Sequence, residues 1–440
     1  MSTGSQAAAA ASREQASGRR LTRLADVRGW EATLAIVGLA VIAVHVVDDS
    51  FLQPQPGTTA GDHLVSGLVP LAALVGFAAV YPRLRPGLRA SFAIVLGVFG
   101  IASGIEAVHY LDAGQFSGDD YTGLAAIPAG FLLVGVGAMT LWRSRKAGPS
   151  RPRRWLRRSL VAIVAFVGAY VFLAPFLASY VLTHNARAFV PADRVGAAHE
   201  DVTFTTPDGL RLRGWYVPSR NGAAVISFPG RKGTQKPARI LAQHGYGVLL
   251  FDRRGEGQSE GDPNGWGWAG HQDVAGAVRY LQSRADVERN RIGGIGLSVG
   301  GEMMLEAAAK SPGLEAVVSE GAGERSVREN LDMTQDGKWI GIPSSLAVTA
   351  GTALFSNNAP PPSLKDLVDR IAPTPVFFIY GEHGQPGERN LNPTYYAAAG
   401  QPKMLWEVPG SGHVGGIDAQ PREYERRVIG FFDRHLLGQG

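Results

Sequence analysis

Cysteine is absent from all 440 residues. No disulfide can staple the fold, and no thiolate can ligate a metal or serve as a nucleophile. Charge is scarce as well: only 18% of residues are charged and 45% are hydrophobic, an apolar excess over an ordinary soluble chain. The net charge of +5 forms no basic face. Arg and Lys gather instead in short segments between apolar runs, which excludes a nucleic-acid-binding domain. Also missing is an apolar stretch before Trp30, so Met1 to Arg28, polar and Ala-rich, reads as a disordered cytoplasmic tail (1–29) and not as a cleaved signal peptide.

What is present divides the chain in two. Five apolar runs, Trp30–Val47, Leu64–Tyr81, Ala90–Val108, Tyr121–Trp142 and Leu160–Leu182, are each long enough to cross a bilayer core of ~30 Å at ~1.5 Å per residue. Residues 30–182 are therefore expected to form an α-helical transmembrane domain. Pro70, Pro128 and Pro175 lie inside these runs, where packed membrane helices tolerate them.

The flanking charges orient the helices. Sixteen Arg and Lys residues fall before the first run, between the second and third, and between the fourth and fifth. The loops Asp48–His63 and His109–Asp120 contain none. The positive-inside rule then puts the amino terminus in the cytoplasm and everything after Leu182 on the outer side of a cell membrane.

Acidic and His residues mark the outer ends of the helices: His45, Asp48 and Asp49, then Asp62 and His63, then Glu106, His109 and Asp112, then Asp119 and Asp120. The spacings H-x-x-D and E-x-x-H put paired side chains on one helix face. They are candidates for a metal or proton site, against the plainer reading of a water interface.

Residues 183–200 read as a linker, and from Asp201 the apolar period changes. Val202–Thr206 and Leu210–Val217 flank the turn Pro207-Asp208-Gly209 as a hairpin. Ala224–Phe228, Val248–Phe251, Ile292–Leu297, Ala316–Ser319, Val376–Tyr380 and Met404–Val408 are short apolar strands, with helical patterns such as His271–Arg284 between most of them. Alternation of this kind implies a mostly parallel, doubly wound α/β sheet over 201–440.

The stretch that organises this half is Gly296-Leu297-Ser298-Val299-Gly300, at a strand-to-helix turn. A turn there pushes a hydroxyl clear of its neighbours, and flanking glycines let strand and helix approach, as a nucleophile elbow requires. Gly257-Gln258-Ser259-Glu260-Gly261 repeats the G-x-S-x-G pattern, but it runs into Asp262-Pro263-Asn264-Gly265, which cannot open a helix. Ser259 is read as turn structure and Ser298 as the nucleophile.

Residues 201–440 resemble the α/β-hydrolases, closest in style to dienelactone hydrolases and prolyl-oligopeptidase-like serine hydrolases. The resemblance rests on P-G-R-K-G at Pro229–Gly233, F-D-R-R-G-E-G-Q-S-E-G at Phe251–Gly261, G-L-S-V-G-G at Gly296–Gly301 and G-S-G-H at Gly410–His413, in the family's order. It implies His413, in a glycine-rich loop after the last strand, as the general base for Ser298. Backbone N–H groups of Arg231 and Val299 would form the oxyanion hole. The acid is open. Where relatives commonly carry Asp, this chain has Gly384, leaving Glu388 as first choice, Glu382 as second and Glu320 as a distant third.

Residues 321–366 occupy the position of a cap, and Trp339–Pro343 with Leu346–Phe355 are apolar enough to line an acyl pocket. The expected activity is a membrane-anchored serine esterase acting on a small-molecule or lipid ester through an acyl-enzyme on Ser298, without a cofactor. Two alternatives stand beside it: an acyltransferase using the same residues, and a catalytically silent binding or sensing module.

Overall fold

The computed structural model describes residues 29–116, 118–144, 152–187, 196–228, 234–335 and 338–439. Residues 1–28 of the expected amino-terminal tail, residues 188–195 of the linker and Arg231 lie outside them. The chain divides into two compact units, Met1–Pro54 with His63–Arg157, and Gln55–Asp62 with Arg158–Gly440.

The first unit consists of long apolar helices, Gly29–Leu52, Leu64–Arg83, Pro86–Asp112 and Asp120–Arg143. The third and fourth meet along glycines. A β-carbon on Gly97 would stand 2.6 Å from the Gly130 carbonyl oxygen, and one on Gly137 would stand 2.8 Å from that of Ala90. Small residues let helix backbones approach this closely, main chain against main chain.

The His and carboxylate cluster at the helix ends forms no metal-ligand group among the described residues. His45 presents one ring nitrogen to Thr122 Oγ1 at 3.2 Å and the other to the Ser103 carbonyl at 3.0 Å. The Thr122 hydroxyl donates in turn to Asp48 at 2.8 Å. His45 and Asp48 do share a face, but Thr122 stands between them. Among the described residues no three His, Asp or Glu side chains are placed to hold a metal ion, and Asp49, His63, Glu106 and His109 join no such group.

The fifth apolar helix, Ser159–Thr183, belongs with the second unit and not with the other four. It carries a π-helical turn at Ala169–Leu173, one turn before Pro175, whose missing N–H and ring displace the regular i to i−4 bonds. A sixth helix, Lys338–Ser356, is also long and apolar enough to cross a membrane. The sequence expectation of five runs passed over it because Ser344, Ser345, Thr349 and Thr352 dilute its apolar character.

The rest of the second unit is built on one eight-stranded sheet in the order β1-β2-β4-β3-β5-β6-β7-β8. The strands are β1 Glu200–Thr205, β2 Arg211–Val217, β3 Ala224–Phe228, β4 Gly247–Phe251, β5 Ile292–Leu297, β6 Ala316–Glu320, β7 Val376–Gly381 and β8 Lys403–Val408. β1 and β2 form the antiparallel hairpin, β2 runs antiparallel to β4, and β3 to β8 are parallel.

Period-two geometry explains why the central strands are apolar throughout. Ala224, Ile226 and Phe228 pack with Val274, Leu281 and Met303 on one face, while Val225 on the other meets the core of Leu241, Tyr424 and Phe432. Helices therefore cover both faces, and the loops that follow β5, β7 and β8 open on the same edge, where the carboxyl ends of parallel strands face.

Candidate active site

β5 ends at Leu297 and the helix Val299–Lys310 begins two residues later, so Ser298 alone makes the turn. Its backbone takes φ 54° and ψ −126°, a conformation costly for a residue with a β-carbon. The turn is over-determined by its neighbours. The Ser298 N–H donates to the Glu320 carbonyl at 2.8 Å, and Gly301 N–H donates to the Ser298 carbonyl at 2.8 Å. A β-carbon on Gly296 would collide with the Gly300 carbonyl, and one on Gly300 would stand 2.6 Å from the Phe228 ring.

His413 arrives from the loop after β8. Its Nε2 lies 2.9 Å from Ser298 Oγ, and its Nδ1 lies 2.6 Å from Glu388 Oε2. A carboxylate accepts, so Nδ1 carries the proton, and Nε2 is left to accept from the serine hydroxyl. The next residue, Val414, has φ 46°, a second strained backbone beside the same chemistry.

Glu388 is 1% exposed, at the third position of the helix Pro386–Ala398. Its Oε1 accepts from Gly381 N–H at 3.0 Å and its Oε2 from Gln385 N–H at 3.2 Å. Those two donors and the positive end of the helix offset the cost of burying the carboxylate, and they fix its direction toward His413.

The model of the X-Pro dipeptidyl-peptidase (S15 family) matches residues 181–366. The chain is 31% identical over 265 residues to the uncharacterized protein Rv2307c of Mycobacterium tuberculosis, covering 58% of this chain and 87% of that one. The chain is a member of the α/β-hydrolase family. It is also 28% identical over 288 residues to the polyketide transferase grgF of a Penicillium species, covering 54% of this chain and 96% of that one. Among solved structures, the Pyrococcus furiosus esterase Pf2001 matches with a TM-score of 0.47 and 22% identity, covering 58% of this chain and 98% of that one.

In this α/β-hydrolase the other sequence candidates lie elsewhere. Glu382, just after β7, accepts from Gly410 N–H at 2.8 Å and ties that loop to the loop after β8. Glu320, buried at the end of β6, accepts from the Tyr424 hydroxyl at 2.7 Å and from Gly416 N–H at 2.9 Å. It thus holds the loop that carries His413. Ser259 is wholly buried, with its hydroxyl donating to the Asp252 carbonyl at 2.5 Å and accepting from Arg213 N–H at 2.9 Å. Val299 opens its helix, where first-turn N–H groups have no intrahelical partner. Arg254, in the turn after β4, is tied to buried Asp273 and to Asp208.

The electrostatics follow from burial and pairing. The hydrogen bond to Glu388 raises the His413 pKa above the ordinary histidine value, against the opposing effect of burial. Burial raises Glu320, and it pushes Glu302, one helical turn beyond Ser298, up to about 7. Sequence reasoning missed Glu302, whose Oε1 accepts from Gly323 N–H at 2.9 Å beside the site. Its signal was an acidic residue in the otherwise apolar run G-G-E-M-M-L.

Proposed function

We propose that the protein is a membrane-anchored serine hydrolase that cleaves a carboxylic ester. The observation that carries the reading is the unbroken hydrogen-bonded chain from Ser298 through His413 to Glu388, ending on a serine held at positive φ. His413 takes the proton as Ser298 Oγ attacks the ester carbonyl, and the resulting imidazolium is stabilised by Glu388. The alkoxide forms beside the Val299 N–H at a helix amino terminus, with Arg231 N–H as the second expected donor. His413 then protonates the leaving alcohol, and water repeats the sequence on the acyl-enzyme.

Membrane anchoring is supported by the apolar helices and by the one-sided distribution of basic residues, which favours a cytoplasmic amino terminus and an external hydrolase domain. An acyltransferase is the second reading, favoured by the identity to a polyketide transferase; there an alcohol replaces water in the final step. The case for a silent fold was the glycine at 384, and the bond from Glu388 to His413 weighs against it.

The test is fluorophosphonate labelling of the detergent-solubilised protein beside Ser298→Ala, His413→Ala, Glu388→Gln and Glu382→Gln. Labelling of the parent and of Glu382→Gln, lost in Ser298→Ala and His413→Ala and strongly reduced in Glu388→Gln, is expected. A folded parent that stays unlabelled refutes the hydrolase. Turnover of aryl esters against X-Pro anilides, with and without an added alcohol, separates esterase, peptidase and transferase.

A further inference from the structure

The helix Lys338–Ser356 is amphipathic the wrong way round for a helix covering a domain in water. Its buried residues include Thr349, Thr352 and Ser356, while Trp339 is 66% exposed, Ile340 85% and Leu346 53%. A helix bathed in water turns its apolar stripe inward and its hydroxyls outward. Here the hydroxyls face the protein: Thr349 Oγ1 accepts from Val327 N–H at 2.9 Å, and Ser345 Oγ accepts from Asn330 Nδ2 at 2.8 Å. After Lys338, whose ammonium donates to the carbonyls of Leu331 and Met333, the helix carries no charged side chain.

This helix packs along the fifth apolar helix. Phe355 meets Phe176 at 5.4 Å and Tyr180 at 5.2 Å between ring centroids, and Gly351 lets Ser179 and the Phe176 carbonyl approach. Contact continues to the π-helical turn Ala169–Leu173, about 15 Å along the fifth helix from its Thr183 end at ~1.5 Å per residue. The fifth helix is itself bare on its apolar sides, with Phe166, Tyr170 and Phe172 all exposed. Between the two helices and the loop after β6 lies a cavity of about 320 Å³, lined by Pro175, Trp266, Glu324, Ser345 and Val348 among others. The neighbour of Trp266, Gly267, approaches Val299 so closely that a β-carbon would stand 2.6 Å from it, next to the nucleophile.

We infer that the outward face of Lys338–Ser356 lies in the outer leaflet of the bilayer beside the fifth helix, and that the cavity it walls receives its substrate laterally from the membrane. The substrate is then the acyl ester of a membrane-resident amphiphile. This deepens the hydrolase reading and rests on it for the chemistry, and on the fifth helix spanning the membrane for the depth.

The absence of native cysteine makes a direct test clean. Ile340→Cys, and Asn290→Cys at the exposed amino-terminal edge of β5, are coupled to a nitrobenzoxadiazole maleimide, and the full chain is reconstituted into phosphatidylcholine vesicles with or without doxyl-labelled lipid. The probe at 340 is expected to be quenched by doxyl lipid and shielded from aqueous iodide, and the probe at 290 to behave oppositely. Iodide quenching at 340 equal to that at 290 overturns the inference. So does shielding from both quenchers, which would assign the face to a second copy of the chain.

In parallel, Ile340→Glu is expected to lower turnover of a long-chain ester dissolved in vesicles by about tenfold or more, because a carboxylate is expelled from the acyl region. Turnover of a water-soluble short-chain ester should stay within about twofold, since Ile340 points outward, 85% exposed, and is not among the residues that line the cavity. Equal loss on both esters, or no loss on the vesicle ester, overturns the lateral route. A parent inert to both esters and to fluorophosphonate, with the quenching pattern intact, removes the chemistry and leaves the bilayer contact standing.

Discussion

Gly384 and Glu388 compete for one space. A β-carbon on Gly384 would stand 2.5 Å from Glu388 Oε2, the atom that meets His413. An aspartate side chain at position 384 would displace the Glu388 carboxylate from its place against His413. The carboxylate is supplied instead from one turn into the following helix, on a side chain one methylene longer.

The acid should accordingly be movable. Glu388→Ala is expected to lose most ester turnover, and Gly384→Asp alone to fold poorly or label weakly because the two carboxyl groups collide. The double variant Gly384→Asp/Glu388→Ala should recover at least about tenfold over Glu388→Ala, measured as kcat/KM on one soluble ester.

The pH profile follows from the same pair. His413 works as a base only when neutral, and its raised pKa means that activity falls, as pH is lowered, at a pH above the ordinary histidine value of about 6.5. Glu388→Gln removes the group that favours the imidazolium. The acid limb should move to lower pH while the plateau drops by about 10³ to 10⁴-fold, since the same imidazolium is no longer stabilised in the transition state. Glu382→Gln should change neither.

Gly300→Ala tests the elbow without touching a reacting group. The added methyl meets the Phe228 ring at 2.6 Å, so the helix must shift from the strand. Such overpacking costs about 1 to 3 kcal/mol. Thermal unfolding should show the loss, and fluorophosphonate labelling should fall with it.

Tyr424→Phe leaves buried Glu320 with one donor fewer, at a cost of about 1 to 3 kcal/mol. Because Glu320 also binds Gly416 N–H, three residues beyond His413, the variant should lower kcat more than it raises KM.

Topology is a separate expectation. An alkaline phosphatase fused after Gly440 should be active, and a fluorescent protein that matures only in the cytoplasm should be dark there. The opposite pair of results reverses the orientation drawn from the basic residues.

Much of this protein is written locally. Every strand was legible to within two residues, because fully buried parallel strands are short apolar runs bounded by turn residues and need no partner to be recognised. Ser298 was legible because an elbow is a local backbone event, in which Gly296 meets the Gly300 carbonyl across the turn. The long apolar helices were legible because length and apolarity are properties of the run itself.

The remainder depended on which distant residues meet. The preference for Glu388 over Glu382 and Glu320 was a choice among carboxylates that composition treats alike; the direction of the helix after β7 separates them. His45 and Asp48 share a helix face as their spacing requires, yet Thr122, from a helix more than seventy residues on, stands between them. The helix Lys338–Ser356 looked like ordinary cap packing in sequence, since a string of Ser, Thr, Trp and Ile does not say which side faces out. Sequence sets what each segment can form through its own backbone and period; only the packed chain decides which groups face one another, because hydrogen bonds and close contacts act over a few ångströms between residues that the sequence holds far apart.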